Sequence, residues 1–241
     1  MSDSTIVLIT GVARGIGQAL AKAYLSRPNH TVLGTIRDPS APSLSAVASH
    51  TPAQGSRLLL FPLESTNPAD YSNLVSSLTT AGITQLDLVI ANAGVAYPAG
   101  TPSSVGIEDV KSVFDVNTLG TLRLFQALRG FLEAGVKHGK RVKWVSVSSG
   151  AGSIGACEVY GTERVTAAIH ASEKWLTAFS IHPGFVQTEM GNKAAQIMGL
   201  KEAPDTVEEA ITKTMATIDG ATREDTSGKF LNVIDGTEIP W

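Results

Sequence analysis

Three glycines near the amino terminus have a spacing that could bind an anion. Gly11, Gly15 and Gly17 follow a short apolar run at residues 6–9 and precede a helix-favouring stretch at residues 18–25. Glycines at such a turn let the backbone approach a pyrophosphate, and the free N–H groups of the helix start attract negative charge. The spacing is G-x-x-x-G-x-G, which by itself also fits a tight strand–helix turn without a ligand. The sequence predicts a nucleotide site here if other residues complete it.

A second group of polar side chains could supply a proton to an oxygen atom. Hydride transfer to a carbonyl leaves negative charge on the oxygen, where Tyr160 could donate a proton and Ser149 could polarise the same atom. The ordinary pKa of tyrosine is about 10, so a nearby cation must lower it. Arg164 lies four residues after Tyr160, one turn along a helix, and carries a fixed positive charge. These residues could serve carbonyl chemistry if the fold brings them together.

The end of the second predicted strand, at residues 31–36, indicates which nicotinamide cofactor would bind. A site for NAD places Asp or Glu about 20 residues beyond the glycines, where it accepts a hydrogen bond from the ribose 2′-OH. This chain has Arg37 there, and Arg14 in the glycine turn lies on the same side. A guanidinium suits a 2′-phosphate, which a carboxylate would repel. Asp38 should turn outward with Pro39, so we predict NADP(H); two merely solvated arginines are the alternative.

Short apolar runs alternate with helical stretches along the chain. Strands are predicted at residues 6–9, 31–36, 57–63, 86–91, 142–147, 175–181 and 229–234. Helices are predicted at residues 18–25, 69–81, 107–134, 160–172 and 207–218. Nearly every cluster of small residues follows a strand, at the edge of a parallel sheet where ligands bind. We expect one α/β domain over residues 1–241: a single doubly wound parallel sheet of Rossmann type, flanked by helices on both faces.

Composition excludes several classes of protein. The net charge is −3 and 17% of residues are charged, which gives no electrostatic case for nucleic acid or a membrane surface. Cys157 is the single cysteine, which rules out an internal disulfide and fits a reducing compartment. The first apolar run is too short for a signal or transmembrane segment. His170 and His182 lack partners at metal-ligand spacing. We expect a cytoplasmic, metal-free protein that acts on a small molecule.

Four stretches together resemble the short-chain dehydrogenase/reductase family. They are Thr10-Gly11-x-x-x-Gly15-Ile16-Gly17, Asn92-Ala93-Gly94, Ser148-Ser149 with Tyr160 downstream, and Pro183-Gly184-x-x-x-Thr188. Their order and spacing cover nearly the whole chain. The closing stretch from Gly228 to Trp241 looks like a fungal branch of that family containing secondary-metabolite ketoreductases. The resemblance implies a homodimer or homotetramer, with Arg123 and Arg129 on the long helix as surface or subunit-contact residues.

The resemblance also implies roles for particular residues. The cofactor contacts that it implies, in addition to Tyr160 and Arg164 at the ribose, are Gly11, Gly15, Ile16, Gly17, Glu64, Asn92, Gly94, Val186 and Thr188. Within this set, Glu64 stands where the family usually has an Asp facing the adenine. Val186 and Thr188 would hold the nicotinamide carboxamide. Asn117 matches a helix asparagine that relays protons by opening the helix to a water; an ordinary polar helix residue is the alternative.

The chain departs from the family after Tyr160. The family has a lysine where this sequence has Arg164. Arginine keeps the positive charge and could bind the ribose hydroxyls, but it does not give up a proton, so it is a poor relay. The helix is also shorter than in the family by about five residues, which at ~3.6 residues per turn is not a whole number of turns. The Ser149–Tyr160 spacing is slightly short too, which leaves Ser148 as a candidate for the serine role.

The sequence leaves three functions open. The first is NADPH-dependent reduction of a carbonyl in a hydrophobic small molecule, with Tyr160 as the proton donor. The second is reduction of an imine or iminium. An iminium is already cationic and needs no strong proton donor, so the change to Arg164 would matter little. The third is an isomerase, a cyclase or a binding protein that keeps the fold and NADP(H), against which the presence of Ser149 and Tyr160 argues.

Overall fold

Seven strands of the described chain form one parallel sheet. The computed structural model describes residues 4–96, 103–150, 153 and 163–240, without the side chains of Glu163 and Arg164. The strands are β1 (Thr5–Thr10), β2 (His30–Ile36), β3 (Arg57–Pro62), β4 (Leu88–Ala91), β5 (Lys143–Val147), β6 (Thr177–His182) and β7 (Phe230–Asn232). They lie in the order β3-β2-β1-β4-β5-β6-β7, and every neighbouring pair is parallel. The winding direction reverses between β1 and β4, and ligands bind at such a switch point.

Helices cover both faces of this sheet. In the described segments they are α1 (Gly15–Leu25), α2 (Ser45–Ala48), α3 (Pro68–Thr80), α4 (Ile107–Phe114), α5 (Gly120–Lys137), α6 (Glu163–Ser172), α7 (Glu189–Ile197) and α8 (Val207–Gly220). A short 3₁₀ turn, Pro42–Leu44, precedes α2, and a π-turn, Asp115–Leu119, joins α4 to α5. None of these helices combines the length and the apolar character that crossing a membrane requires.

Alternate side chains of the central strand β1 enter two separate cores. Val7 and Ile9 enter the core formed with α1 and α8, whereas Leu8 enters the core formed with α3 and α5. All three side chains are fully buried. Because both faces of the strand are covered, its central residues 6–9 are all apolar instead of alternating with polar residues. The predicted doubly wound sheet with helices on both faces is thus confirmed.

The helix predicted at residues 107–134 is not continuous. Between α4 and α5 lies the π-turn Asp115–Leu119, in which the N–H of Gly120 bonds back five residues to Asp115 O. This spacing adds one residue to a helical turn, and such turns occur frequently at functional sites. Asn117 lies at the centre of the π-turn.

Two elements after β5 also differ from prediction. No helix was predicted at α7, because Gly191 in its first turn has low helix propensity. The N-cap is Thr188, whose hydroxyl oxygen accepts a hydrogen bond from the Gly191 N–H at 3.0 Å. Strand β6 begins at Thr177, two residues later than predicted, because Trp175 lies in the preceding turn.

Candidate active site

The glycine turn between β1 and α1 is closely packed. A Cβ on Gly17 would lie 2.4 Å from both Gly11 O and Asn92 Nδ2, so only glycine fits there. Gly11 and Gly15 have φ angles of 73° and 58°, which glycine adopts at little cost. Among the described residues, Arg14 holds the N-cap position of α1 without a side-chain capping bond. A tight turn leading into a helix start without a side-chain cap fits a pyrophosphate.

The loop after β4 is tied to the end of β1. The Thr10 hydroxyl oxygen accepts hydrogen bonds from the N–H groups of Asn92 and Ala93, at 2.9 and 2.8 Å. The Asn92 side-chain amide donates to Thr10 O at 2.8 Å. These bonds place Asn92 and the following Gly94 beside the glycine turn, on the two sides of the switch point. The sequence-predicted residues of these two loops thus come together at one edge of the sheet.

Asn117 connects the π-turn to the same loop. Its Oδ1 accepts from the Val95 N–H and its Nδ2 donates to Val95 O, both at 2.9 Å. A Cβ on Gly94 would lie 3.4 Å from Asn117 Oδ1, so the loop and the helix pack closely. The Asn117 carbonyl oxygen accepts the Thr121 hydroxyl at 2.8 Å. Asn117 therefore fastens the helix to the loop, and its part in proton relay stays a prediction.

The two candidate serines follow β5 directly. The Ser148 N–H donates to Ile181 O at 2.8 Å, which extends the β5–β6 pairing. Ser148 is half-buried and Ser149 is exposed. Tyr160 lies outside the described residues, and Arg164 is described only by its place in α6. The geometry of serine, tyrosine and arginine stays a prediction, as does the choice between Ser148 and Ser149.

The segment after β6 meets the glycine turn from the other side. The Thr188 Cγ2 atom would lie 3.7 Å from a Cβ on Gly15, so the two loops are in contact. Val186 is buried and forms a parallel bridge with Asp205, which fixes the segment. Val186 and Thr188 therefore lie at the same edge as the glycines. Ile16, half-buried at the start of α1, packs against the core on that side.

Arg14 has a carboxylate partner that the sequence did not reveal. Its guanidinium forms an ion pair with Glu189, the first residue of α7, and both side chains are exposed. Lys193 lies 3.2 Å from the same carboxylate. These two cations lower the pKa of Glu189, so the carboxylate is ionised at neutral pH. An anionic ligand at the glycine turn would compete with Glu189 for Arg14.

Arg37 is held more loosely. Its side chain is 74% exposed, and its Nε lies 4.0 Å from the Glu64 carboxylate. The Asp38 carboxylate accepts hydrogen bonds from the Ser40 N–H and hydroxyl, at 2.8 and 2.6 Å, and these bonds lower the pKa of Asp38. As predicted, Asp38 turns into the solvent-exposed turn that follows β2. Arg37 is therefore able to reorient towards a phosphate.

His182, at the end of β6, is a further candidate site residue; the sequence indicated only that it lacks metal-ligand partners. Within the described part of the chain its buried Nδ1 has no hydrogen-bond partner. Burial lowers the pKa of the imidazole, although Asp205 and Asp235 act in the opposite direction. A Cβ on Gly150 would lie 3.7 Å from the ring, next to the candidate serines. The available signal in the sequence was the position of His182 at the end of a predicted strand, where ligands of a parallel sheet bind. The described residues hold no cluster of three His, Cys, Asp or Glu side chains suited to a metal.

Comparisons with known proteins identify the family. The family profile described as short chain dehydrogenase matches residues 5–198. A short-chain dehydrogenase from Neurospora crassa is 43% identical over 258 aligned positions, which cover 100% of this chain and 99% of that protein. Norsolorinic acid ketoreductase from Aspergillus parasiticus is 36% identical over an alignment that covers 99% of this chain and 92% of that protein. The chain belongs to the short-chain dehydrogenase/reductase family.

A solved structure agrees with this assignment. The NADPH-bound carbonyl reductase from chicken fatty liver superposes with a TM-score of 0.84 at 27% identity, over 99% of each chain. The protein is therefore an oxidoreductase of the short-chain dehydrogenase/reductase type, with fungal ketoreductases among its relatives.

Proposed function

We propose that the protein reduces a carbonyl group of a hydrophobic small molecule with NADPH. The observation that carries this proposal is the contact between the glycine turn and the segment of Thr188 at the carboxyl edge of the sheet. Asn92 and Asn117 border the same edge. The names of the ketoreductase relatives and of the NADPH-bound carbonyl reductase support the same activity.

The described residues fit a dinucleotide that carries a 2′-phosphate. The turn around Gly17 has space for backbone but none for a side chain, and the helix behind it starts without a side-chain cap. Arg37 supplies an exposed guanidinium at the end of β2, where the adenine ribose of a dinucleotide would lie. Arg14 would add a second charge once it leaves Glu189. These charges support NADP(H) over NAD(H).

The proposed mechanism assigns one task to each polar residue. NADPH, when bound, supplies the hydride for the carbonyl carbon. Tyr160 donates a proton to the carbonyl oxygen, so the product is an alcohol, and Ser149, or Ser148, donates a hydrogen bond to the same oxygen. Arg164 favours the ionised tyrosine and so lowers its pKa. Asn117 holds the neighbouring loop in place.

Exposed apolar side chains support a hydrophobic substrate. Met190, Ile197, Met198 and Leu200 lie on α7 and just after it, and all four are exposed. Helix α7 begins directly after Thr188, beside the edge described above. Covering these side chains with an apolar substrate would remove their surface from water, which is favourable by ~25 cal/mol per Å².

Arginine at position 164 favours imine or iminium reduction as a second candidate. The two reductase activities are separated by supplying NADPH with panels of aromatic ketones and of cyclic imines and following NADPH absorbance. We expect ketones to be consumed faster. A protein that reduces only imines would contradict the proposed carbonyl chemistry, and one that reduces neither class would contradict both candidates.

Gly17→Ala is expected to weaken NADPH binding by at least about tenfold. The new methyl would need to displace the Gly11 carbonyl or the Asn92 amide, which build the turn. The matched control is Gly130→Ala on α5, where a Cβ meets no described atom within 4 Å and alanine favours the helix by up to ~1 kcal/mol. Calorimetric titration with NADPH compares the two variants, and unchanged affinity in Gly17→Ala would rule out a nucleotide at this turn.

We also propose that the protein forms a homodimer or homotetramer through the long helix. Ile107 and Phe114 are exposed and seven residues apart, and Leu122 lies eight residues further, across the extra residue of the π-turn. The three side chains therefore share one apolar face. Light scattering at micromolar concentration should find two or four times the chain mass of 25.2 kDa.

A charge on this face tests the interface. Phe114→Glu should yield the monomer, while Leu200→Glu, at an exposed apolar residue that follows α7, should keep the assembly. A parent protein that is already monomeric would contradict the proposal.

A further inference from the structure

We infer that Asp115 and Arg123 hold the π-turn in place and thereby position Asn117. Arg123 Nη1 lies 2.7 Å from Asp115 Oδ1 and also donates to Ser65 O at 3.2 Å. Arg123, for which the resemblance implied a surface or subunit-contact role, is 27% exposed and bonds within its own chain, and the subunit-contact role stays a prediction. Both partners are positioning residues, and the inference rests on the proposed function of Asn117.

The ion pair depends on the π-turn. Residues eight apart in an α-helix differ by ~80° around the axis, because each residue turns ~100°. The π-turn takes up one extra residue, so Asp115 and Arg123 have the offset of residues seven apart, ~20°, and lie on one face. A regular helix would separate them. The pair therefore stabilises the π-turn relative to an uninterrupted helix.

Further contacts fix the turn to the loop after β3. The Tyr71 hydroxyl lies 2.8 Å from Ser65 O and 3.2 Å from Gly120 O, but it has only one proton to donate. Arg123 supplies a second donor for Ser65 O, so both carbonyls can be satisfied. A Cβ on Gly120 would lie 3.1 Å from Ser65 Cβ, which shows how closely the turn and the loop pack. Ser65 follows Glu64, the predicted adenine-side residue.

Asn117 would lose its position if the extra residue were absorbed. Converting the π-turn to α-helix would rotate the residues on one side of it by ~100° relative to the other side. Asn117 could not then keep both bonds to Val95 while Arg123 and Tyr71 kept their bonds to Ser65 O. The ion pair thus links the geometry of the loop after β3 to the asparagine that bonds to the loop after β4.

Amide hydrogen exchange tests, without any substrate, whether the Asp115–Arg123 ion pair holds the π-turn in place. In Arg123→Gln and in Asp115→Asn, the amides of residues 115–121 and of Val95 should exchange about tenfold faster, the effect of losing one charge-assisted hydrogen bond. The matched control is Lys111→Gln, which removes the 2.7 Å pair with Glu108 on α4, a pair that does not span the π-turn. Unchanged exchange in the two test variants would overturn the inference, whatever reaction the enzyme catalyses.

Turnover tests the positioning of Asn117. Arg123→Gln should lower kcat about tenfold with little change in the KM for the substrate, and Arg123→Lys should restore most of it. In an Asn117→Ala background, Arg123→Gln should have less than about a twofold further effect, because the two residues act as one unit. Additive losses would overturn the positioning role. Full turnover in Asn117→Ala alone would contradict the proposed function of that residue. The exchange experiment would then still test whether the Asp115–Arg123 ion pair stabilises the π-turn.

Discussion

Tyr160→Phe is expected to lower the turnover of a carbonyl substrate by at least ~10²-fold, the usual loss when a general acid is removed. The phenylalanine ring keeps the shape of the side chain but has no proton to donate to the oxygen. Arg164→Ala should also lower turnover, because the tyrosine pKa would rise towards about 10. Arg164→Lys should preserve or raise it. Steady-state rates with saturating NADPH measure each variant.

The same variants separate the competing functions. For an iminium reductase or a non-redox enzyme, Tyr160→Phe would leave turnover nearly intact, and Arg164→Ala would act mainly through weaker cofactor binding. Cys157→Ser, in the same segment, is the control and should retain the parent rate. Ser148→Ala and Ser149→Ala compared side by side identify the serine that contacts the oxygen, since only that variant should lose most of its kcat.

Arg37→Asp is expected to erase or reverse the preference for NADPH over NADH. In the parent protein a charge-assisted bidentate contact with the 2′-phosphate contributes roughly 1.5–3 kcal/mol, or about ten- to a hundredfold in affinity. Arg37 is 74% exposed and its Nε lies 4.0 Å from the Glu64 carboxylate, so little has to be broken before it reaches the phosphate. Calorimetric titration with both cofactors gives the ratio, and equal affinities in the parent would contradict the assignment.

Glu189→Gln is a second variant to compare with the parent protein in the calorimetric titration. The ion pair with Glu189 occupies Arg14 in this structure, so its removal should raise the affinity for NADPH a few-fold. Lys193→Gln removes the other partner of the same carboxylate and should not raise affinity. A Glu189→Gln protein with unchanged affinity would show that Arg14 makes no contact with the phosphate.

The sheet could be predicted from sequence because its strands are buried on both faces. Val7, Leu8 and Ile9 are apolar without alternation for that reason, and the same pattern marks most other strands. The composition of residues 115–119 does not predict the π-turn, because it does not differ from that of an ordinary helix; the family resemblance alone implied that the helix opens at Asn117. Contacts from Arg123 and Tyr71 accompany the extra residue, and these are tertiary.

The candidate site was predictable where spacing along the chain decides it. The edge that carries Gly17, Asn92 and Thr188 follows from their positions after the parallel strands β1, β4 and β6. The partner of Arg14 was not predictable, because Glu189 is 175 residues away and belongs to a helix that the pattern did not show. The unpartnered nitrogen of His182 likewise follows from packing, which no local motif encodes.

Transfer of deuterium from 4,4-dideuterated NADPH, labelled at both C4 hydrogens, to the product tests the central claim most directly. Mass spectrometry of the product from an aromatic ketone should find one deuterium on the new carbinol carbon for each NADPH oxidised. The Gly17→Ala variant, with its obstructed glycine turn, should transfer it far more slowly. Product that forms without deuterium, or without loss of NADPH, would contradict hydride transfer and would indicate an isomerase or cyclase on this fold.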